Sequence, residues 1–559
     1  MNHQKNMLKS TGRTAYLTWL IYIIPALYLL MGFYFRQIFG DLSLRNIDPE
    51  YIHFVSGLSV SLGKFTGANI DQPASVLHLL MALIFRIVYF FRPHNLPYFE
   101  DVIYHSDLYL SVVNLVITII IATVLLKVGK ASFQITGNIV FALALQTAPF
   151  LLNIWYDLTG RIYVEMLFVI PVMMLQVLLL RELYGPAMAE KTKTLYLALA
   201  MAMGLSLKMT FLPWIVLPLF LLKGIKPKLN YLFFTILFFL VLSPPVLFQF
   251  NRFWHWMLSL FMHNGTYESG SQTIINFPLF LKNMETLFAQ NAIFFYTIFL
   301  FVVVIIAGYW RQSNKTIRRI GWGMILSIAG VVFITAKHFE MRYFISALLF
   351  FPFLLVLIAK YLSDFFKMKI VYYASSLLVI LVIGYQIKQE IPYMRIVSQS
   401  VDQQVTARKK TRDYIKTLPH DSYKIIVSQD YGCPFQEYAI MYCFSMGGKN
   451  LPHRRAKLNK LYPNTFQYFT WDNSIRDWGK GFHPDSIIAS NKPVYLYLEK
   501  NNKALYKRTI HKFFGDTSRY SVDKKYIFVN PQNHEALLQL YVSKKQDLDS
   551  KPLENQNRP

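Results

Sequence analysis

The sequence predicts a polytopic, all-α membrane bundle of about eleven spans, followed by a soluble C-terminal α/β domain. Three observations predict it. Of the 559 residues, 54% are hydrophobic and the mean hydropathy is +0.32, an apolar surplus beyond what one soluble core buries, which must face lipid. About eleven apolar runs are long enough to cross a bilayer, or nearly so. After residue 388 the hydropathy falls and short strand and polar helix patterns take over.

The first run, residues 15 to 36, follows Lys5, Lys9 and Arg13. It has no small-residue cleavage site and is long enough to span, so it reads as a retained anchor with a cytoplasmic N-terminus. The further runs lie at 107–128, 132–150, 162–181, 194–207, 209–223, 229–250, 291–309, 322–337, 343–361 and 369–388. Residues 74 to 91 are apolar as well. If they crossed, every later loop would change side, and the clusters Lys223/Lys226/Lys228, Arg311/Lys315/Arg318/Arg319 and Lys360/Lys367/Lys369 would face outward, against the positive-inside rule. Laid along the interface, they leave about 18 Lys and Arg in cytoplasmic loops against about 11 in the much longer opposite loops. Residues 37 to 106 then form one outer loop with two surface helices, 49–63 and 74–91. The two short runs that meet at Lys208 dip from the cytoplasm and return near the outer surface.

The odd span number places the tail outside, beside the first loop, in what reads as a bacterial inner membrane protein with a periplasmic or extracellular domain. Residues 1–390 make the membrane domain and 391–559 the tail domain. In the tail, a polar helix is expected near 400–417, with strands at Lys424–Val427, Val494–Leu498 and Tyr526–Val529, and a disordered last dozen residues. Cys433 and Cys443 are the only cysteines, so no cysteine zinc site is available. If 434 to 443 form one helix, its rise sets the sulfurs roughly 15 Å apart, and a disulfide requires that helix to break.

The net charge of +26 lies mainly in short loops and the tail, not on one continuous basic face, which points to anionic lipid or phosphate rather than nucleic acid. No Walker loop, dinucleotide fingerprint, HExxH or paired CxxC occurs, so neither ATP nor a bound nicotinamide is indicated. Charged residues instead gather in segments expected at the outer face. These are Asp48-Pro49-Glu50-Tyr51; Asp71-Gln72-Pro73; Arg161-Ile-Tyr-Val-Glu165; Gly204-Leu-Ser-Leu-Lys208-Met-Thr210; and Lys337-His338-Phe-Glu-Met-Arg342-Tyr343. Each has a structural explanation. Asp48 before Pro49 and Asp71 before Gln72-Pro73 read as helix caps. Asp157, Arg161 and Glu165 recur at a spacing of four, as an ion-pair stripe on one helix face. Lys208 and Lys337 can snorkel to headgroups, and a single histidine such as His338 is more often structural.

Together and in this order, the segments over residues 15 to 390 resemble the GT-C glycosyltransferases, which include aminoarabinose lipid A transferases and protein O-mannosyltransferases. Relatives often carry His-Pro where this chain has Gln72-Pro73. The resemblance implies a GT-C-like bundle and a polyprenyl-phosphate sugar donor. The acceptor, a glycolipid, polysaccharide or protein, would receive the sugar at the outer face. Phosphate leaves without an acid, so the chemistry needs one carboxylate base and cations for the departing charge, where a glycosidase usually needs two carboxylates. In the family's motif position Asp48 is the base, with Glu50 the second candidate; holding a divalent metal or orienting the acceptor are Glu50's alternatives. Lys208, Arg161, Lys337, His338 and Arg342 are the candidates for the donor phosphate, Arg342 because a guanidinium can pair with phosphate in bidentate fashion. Asp71, Asp157, Glu165 and Tyr343 complete the candidate set. Residues 251–290, with Trp254, His255, Trp256, His263 and Tyr267, and the aromatic tail segment Tyr462–Trp478 would shape the acceptor site, although Trp254 and Trp256 also suit an interfacial belt.

Two other functions compete. A transporter or scramblase would line a path with buried charge, but the paired, interrupted halves common in transporters are not found in the sequence. An assembly protein would use the tail to bind an envelope partner, with the membrane part as an inactive relative.

Overall fold

The computed structural model describes residues 18–45, 47–186, 188–265, 270–310, 315–366, 368–428, 432–446, 454–470, 472–479, 481–515 and 519–545. Lys5, Lys9, Arg13, Tyr267, Arg311, Lys367 and the last dozen residues lie outside them. The protein is mostly helical, with several apolar spans and one small C-terminal sheet. It divides into two compact units. One comprises Met1–Gln37, Asn69–Leu80 and Val112–Ser398; the other comprises Ile38–Ala68, Met81–Ser111 and Gln399–Pro559. The sequence expectation divides the chain at residue 390; by packing, Ile38–Ala68 and Met81–Ser111 group with Gln399–Pro559.

Among the described residues of the first unit and the helices that continue from it, seven helices are long and apolar enough to cross a membrane. They are Trp19–Phe39, Ser106–Thr136, Val164–Tyr184, Ile225–Leu242, Lys315–Lys337, Met341–Phe366 and Ile370–Ile415. An eighth is the pair Phe277–Gln290 and Ala292–Ala307, bent by 94°. The expected spans at 132–150, 194–207 and 209–223 do not form helices of that kind, and each has a local reason. The Asn138 side chain caps a helix that runs only from Ile139 to Gln146 and gives way to a 3-10 turn containing Pro149. Helix Glu190–Leu207 has a charged first turn, which leaves an apolar stretch of about 14 residues, roughly 21 Å long. After it, Met209–Ile215 is a 3-10 segment around Pro213, continued by the short helix Val216–Leu221. The helices expected at 49–63 and 74–91 form as Glu50–Ser61, buried along nearly its whole length, and Ser75–Phe91.

In the second unit a six-stranded sheet has the order β3-β2-β1-β4-β6-β5. The strands are β1 Tyr423–Val427, β2 Thr465–Phe469, β3 Ser474–Arg476, β4 Val494–Leu498, β5 Tyr520–Val529 and β6 Ala536–Lys544. Strand β1 runs parallel to β2 and β4; the other pairings are antiparallel. One face packs Ile425, Val427, Phe466, Leu496 and Leu538 against helix Lys503–Phe514 through Leu505 and Phe513. On the other face, Tyr438 of helix Gln436–Met446 stacks on Phe469, and Gln467 donates to the Glu437 carbonyl. Both cysteines are buried free thiols.

The polar helix expected near 400–417 is the continuation of the last span in one helix, Lys369–Ile415. Its Arg408 donates to Glu535 at 3.1 Å and to the Leu44 carbonyl at 2.8 Å. One turn later Arg412 pairs with Asp41 at 2.5 Å and donates to the Ser43 hydroxyl and the Pro434 carbonyl. The Cys433 amide adds a bond to the Ser43 carbonyl at 2.8 Å. Residues 41 to 44 are thus held to the sheet domain by both side-chain and backbone contacts.

Candidate functional site

In the first unit the cation cluster is assembled by two backbone irregularities. The first is at Gly160. Helix Asn153–Leu158 ends there instead of continuing, because Gly160 adopts φ +85° and any Cβ would come within 2.8 Å of the Phe35 backbone. The turn is held by Arg36, which donates to the Gly160 carbonyl at 3.1 Å, and by Asn114, which donates to the Arg161 carbonyl at 2.7 Å. Asp157, Arg161 and Glu165 therefore do not share one helix face. Asp157 lies 3.6 Å from the buried Arg161 guanidinium, while Glu165 has moved to a 3-10 turn, Val164–Phe168, and faces another partner.

That partner is Lys208, placed by the second irregularity. Helix Glu190–Leu207 stops at Lys208, whose backbone is extended (φ −159°, ψ 138°). The chain folds back so closely that a Cβ on Gly204 would strike the Phe211 ring. The Ala74 amide donates to the Leu207 carbonyl at 3.0 Å and fixes this break from the outer-loop side. Lys208 Nζ pairs with Glu165 Oε1, both side chains almost fully buried, and sits 4.2 Å from the Tyr343 ring centroid. Burial pushes the Lys208 ammonium down to about 8; Glu165 opposes the shift and nearby Arg342 adds to it.

Tyr163 joins the remaining cations. Arg161 lies over its ring at 4.5 Å and Arg342 at 5.5 Å, so two guanidiniums from distant parts of the sequence address one aromatic ring. Glu340 sits 3.4 Å from Arg342. The other oxygen of Glu165, Oε2, is buried and has no hydrogen-bond partner among the described residues.

Of the residues singled out in the sequence, Arg161, Lys208, Arg342, Glu165, Asp157 and Tyr343 come together here. Lys337 and His338 are engaged elsewhere. Lys337 donates to the Leu260 and Phe261 carbonyls at 3.0 and 2.6 Å, neutralising the end of helix Phe250–Met262, and His338 Nδ1 lies 2.8 Å from the Gly265 carbonyl. Burial lowers the His338 pKa first, and Lys337 adds to the effect. Asp71 does not cap a helix: it pairs with Arg252 at 3.1 Å, both half-exposed, a contact worth about 0–1 kcal/mol. Trp254 is exposed, as a belt residue would be, while Trp256 is buried.

The second unit carries Asp48 and Glu50. The helix begins at Glu50 with Pro49 in the N-cap position and no side-chain cap, so Asp48 lies one residue outside the expected cap. Glu50 is fully buried and Asp48 half-buried. Burial pushes the Cys443 thiol well up, and the charges of Asp48 and Glu50 add to it. Tyr51 donates to Asp107 at 2.8 Å, and Asp107 lies 3.6 Å from Arg412. Asp41, Asp107, Arg412, Gln436 and Glu437 wall a cavity of about 340 Å³. Among the described residues no three His, Cys, Asp or Glu gather as a set of metal ligands.

Tyr163 and Glu340 were present in the quoted motifs but had no role assigned to them. The signal was their place beside Arg161 and Arg342. What a linear sequence does not supply is that one ring serves both guanidiniums.

No protein-family model matches the chain, and no curated protein matches it. Among solved structures it is similar to the crystal structure of ArnT from Cupriavidus metallidurans bound to undecaprenyl phosphate. The two share 10% identity over 92% of this chain and 97% of that one, with a TM-score of 0.46.

Proposed function

We propose that this chain is a membrane glycosyltransferase that moves a sugar from a polyprenyl-phosphate donor to an acceptor at the outer face of the membrane. The observation that carries this reading is the convergence of Arg161, Lys208 and Arg342 on Tyr163 and Tyr343. Holding three cations close together is costly, and their carboxylate neighbours relieve it unevenly. Lys208 pairs with Glu165, while Asp157 and Glu340 stand 3.6 and 3.4 Å from Arg161 and Arg342. A phosphate can accept charge-assisted, bidentate hydrogen bonds from each guanidinium.

In the reaction the acceptor oxygen attacks the anomeric carbon, and the bond from that carbon to the phosphate oxygen breaks. The polyprenyl phosphate leaves with the electron pair, stabilised by the cluster. Asp48 takes the acceptor proton. Its half-exposed position suits a proton acceptor better than that of Glu50, whose complete burial suits a supporting role. The apolar spans give the prenyl chain a lipid phase to occupy.

The test is Asp48→Asn in the full chain, assayed for transfer from a polyprenyl-phosphate sugar in membranes. Transfer should fall by at least a hundredfold at unchanged expression, the scale of a lost general base. A variant that retains nearly full activity would remove Asp48 from the mechanism.

A further inference from the structure

A cavity of about 400 Å³ in the first unit has a lining unlike that of the cation cluster. Its polar wall is Asn153, Gln290, Asn291, Gln386, Gln389 and Glu390; no Lys, Arg or His contributes to it. Phe294 and Phe351 are among the side chains of the apolar wall. Glu390 is buried, 6% exposed, and Gln386 donates to its Oε1 at 2.6 Å while also reaching the Leu151 carbonyl at 3.3 Å. Among the described residues no cation pairs with Glu390.

This composition selects a ligand. Without a cation the cavity rejects phosphate and anionic headgroups. Carboxamides both donate and accept, as sugar hydroxyls do, and a carboxylate adds two strong acceptors. The aromatic wall suits the C–H face of a ring, and the volume falls in the usual range for ligand pockets.

Two chain segments link the cavity lining to the cation cluster. Asn153 opens the helix Asn153–Leu158 that carries Asp157, with Arg161 just beyond its end, a rise of roughly 8 Å along the helix. Asn291 contacts the Met341 sulfur at 3.7 Å, one residue before Arg342. The same backbone that presents the cations therefore walls the cavity.

We propose that this cavity holds the sugar ring of the donor, with Asn153, Asn291, Gln386 and Glu390 reading its hydroxyl or amine groups. The inference rests on the proposed transferase reading, because the cluster must hold the donor's phosphate. Sugar choice then resides in the carboxamide wall, and phosphate affinity resides in the cluster.

The experiment uses the full chain in lipid nanodiscs. Dissociation constants are measured for bare decaprenyl phosphate and for decaprenyl phosphate carrying glucose, galactose, mannose or glucosamine. At least one sugar-bearing carrier should bind about tenfold tighter than the bare carrier, the effect of one or two well-made hydrogen bonds. Glu390→Gln combined with Gln386→Ala, and separately Asn153→Ala, should erase most of that advantage while leaving bare-carrier affinity within about twofold. That control also shows that each variant is folded. Equal binding of all carriers by the unmodified chain would overturn the assignment, as would a sugar advantage that survives in both variants. Failure of the bare carrier to bind at all would instead overturn the transferase reading itself.

Discussion

At Lys208 and Glu165 two charges are held almost free of water, each the other's nearest countercharge. Such a pair adds little net stability, because desolvation offsets the attraction, but removing one member strands the other. Lys208→Met or Glu165→Gln alone should therefore lower the thermal unfolding midpoint in detergent, on the scale of a loss of about 3–5 kcal/mol. The double variant should recover most of it. If both single variants melt with the unmodified chain, the pair is not the structural unit described here. Sequence reasoning placed all the cations of this cluster in outer segments but matched Glu165 to the wrong neighbour. The spacing of four across Asp157, Arg161 and Glu165 is a helix signal, and it fails because Gly160 takes φ +85° against the Phe35 backbone. That packing constraint lies 125 residues away in sequence and leaves no local trace.

At the scale of elements, the long helix Lys369–Ile415 is a membrane span at one end and the clasp of the sheet domain at the other. Arg408 and Arg412, one turn apart, hold residues 41 to 45 by side-chain and carbonyl contacts. Arg412→Ala should accelerate hydrogen exchange at the Leu44 and Cys433 amides by at least tenfold, measured by mass spectrometry on the intact chain. Unchanged protection would mean that Arg408 and the Cys433 amide suffice alone. The helix was legible in the sequence only as two pieces, because its apolar and polar halves carry different patterns and hydropathy marks the membrane edge, not a helix end. Strands β1, β4 and the end of β5 were legible from their alternation and β-branched content. Strand β2 was not: Thr465–Phe469 lies inside the aromatic segment Tyr462–Trp478, which the sequence offered only as a sugar-stacking surface.

For the whole molecule, membrane class and tail domain followed directly from composition, while the span count did not. Hydropathy counts apolar runs, and three of the expected runs form helices or 3-10 turns that are not both long and apolar enough to count as spans. Those breaks are where the buried charges collect. Lys208 stands in one, Arg161 and Glu165 flank the turn at Gly160, and Arg342 sits in the 3-10 turn Met341–Phe344 ahead of an apolar helix. The account therefore makes the irregular backbone between spans the place that receives the carrier's phosphate. The most direct measurement is the affinity of bare decaprenyl phosphate for the unmodified chain and for Arg161→Gln and Arg342→Gln, in nanodiscs of zwitterionic lipid. Submillimolar binding that weakens at least tenfold in each variant is the expected result; affinity unchanged by either substitution would contradict the assignment of these arginines to the phosphate.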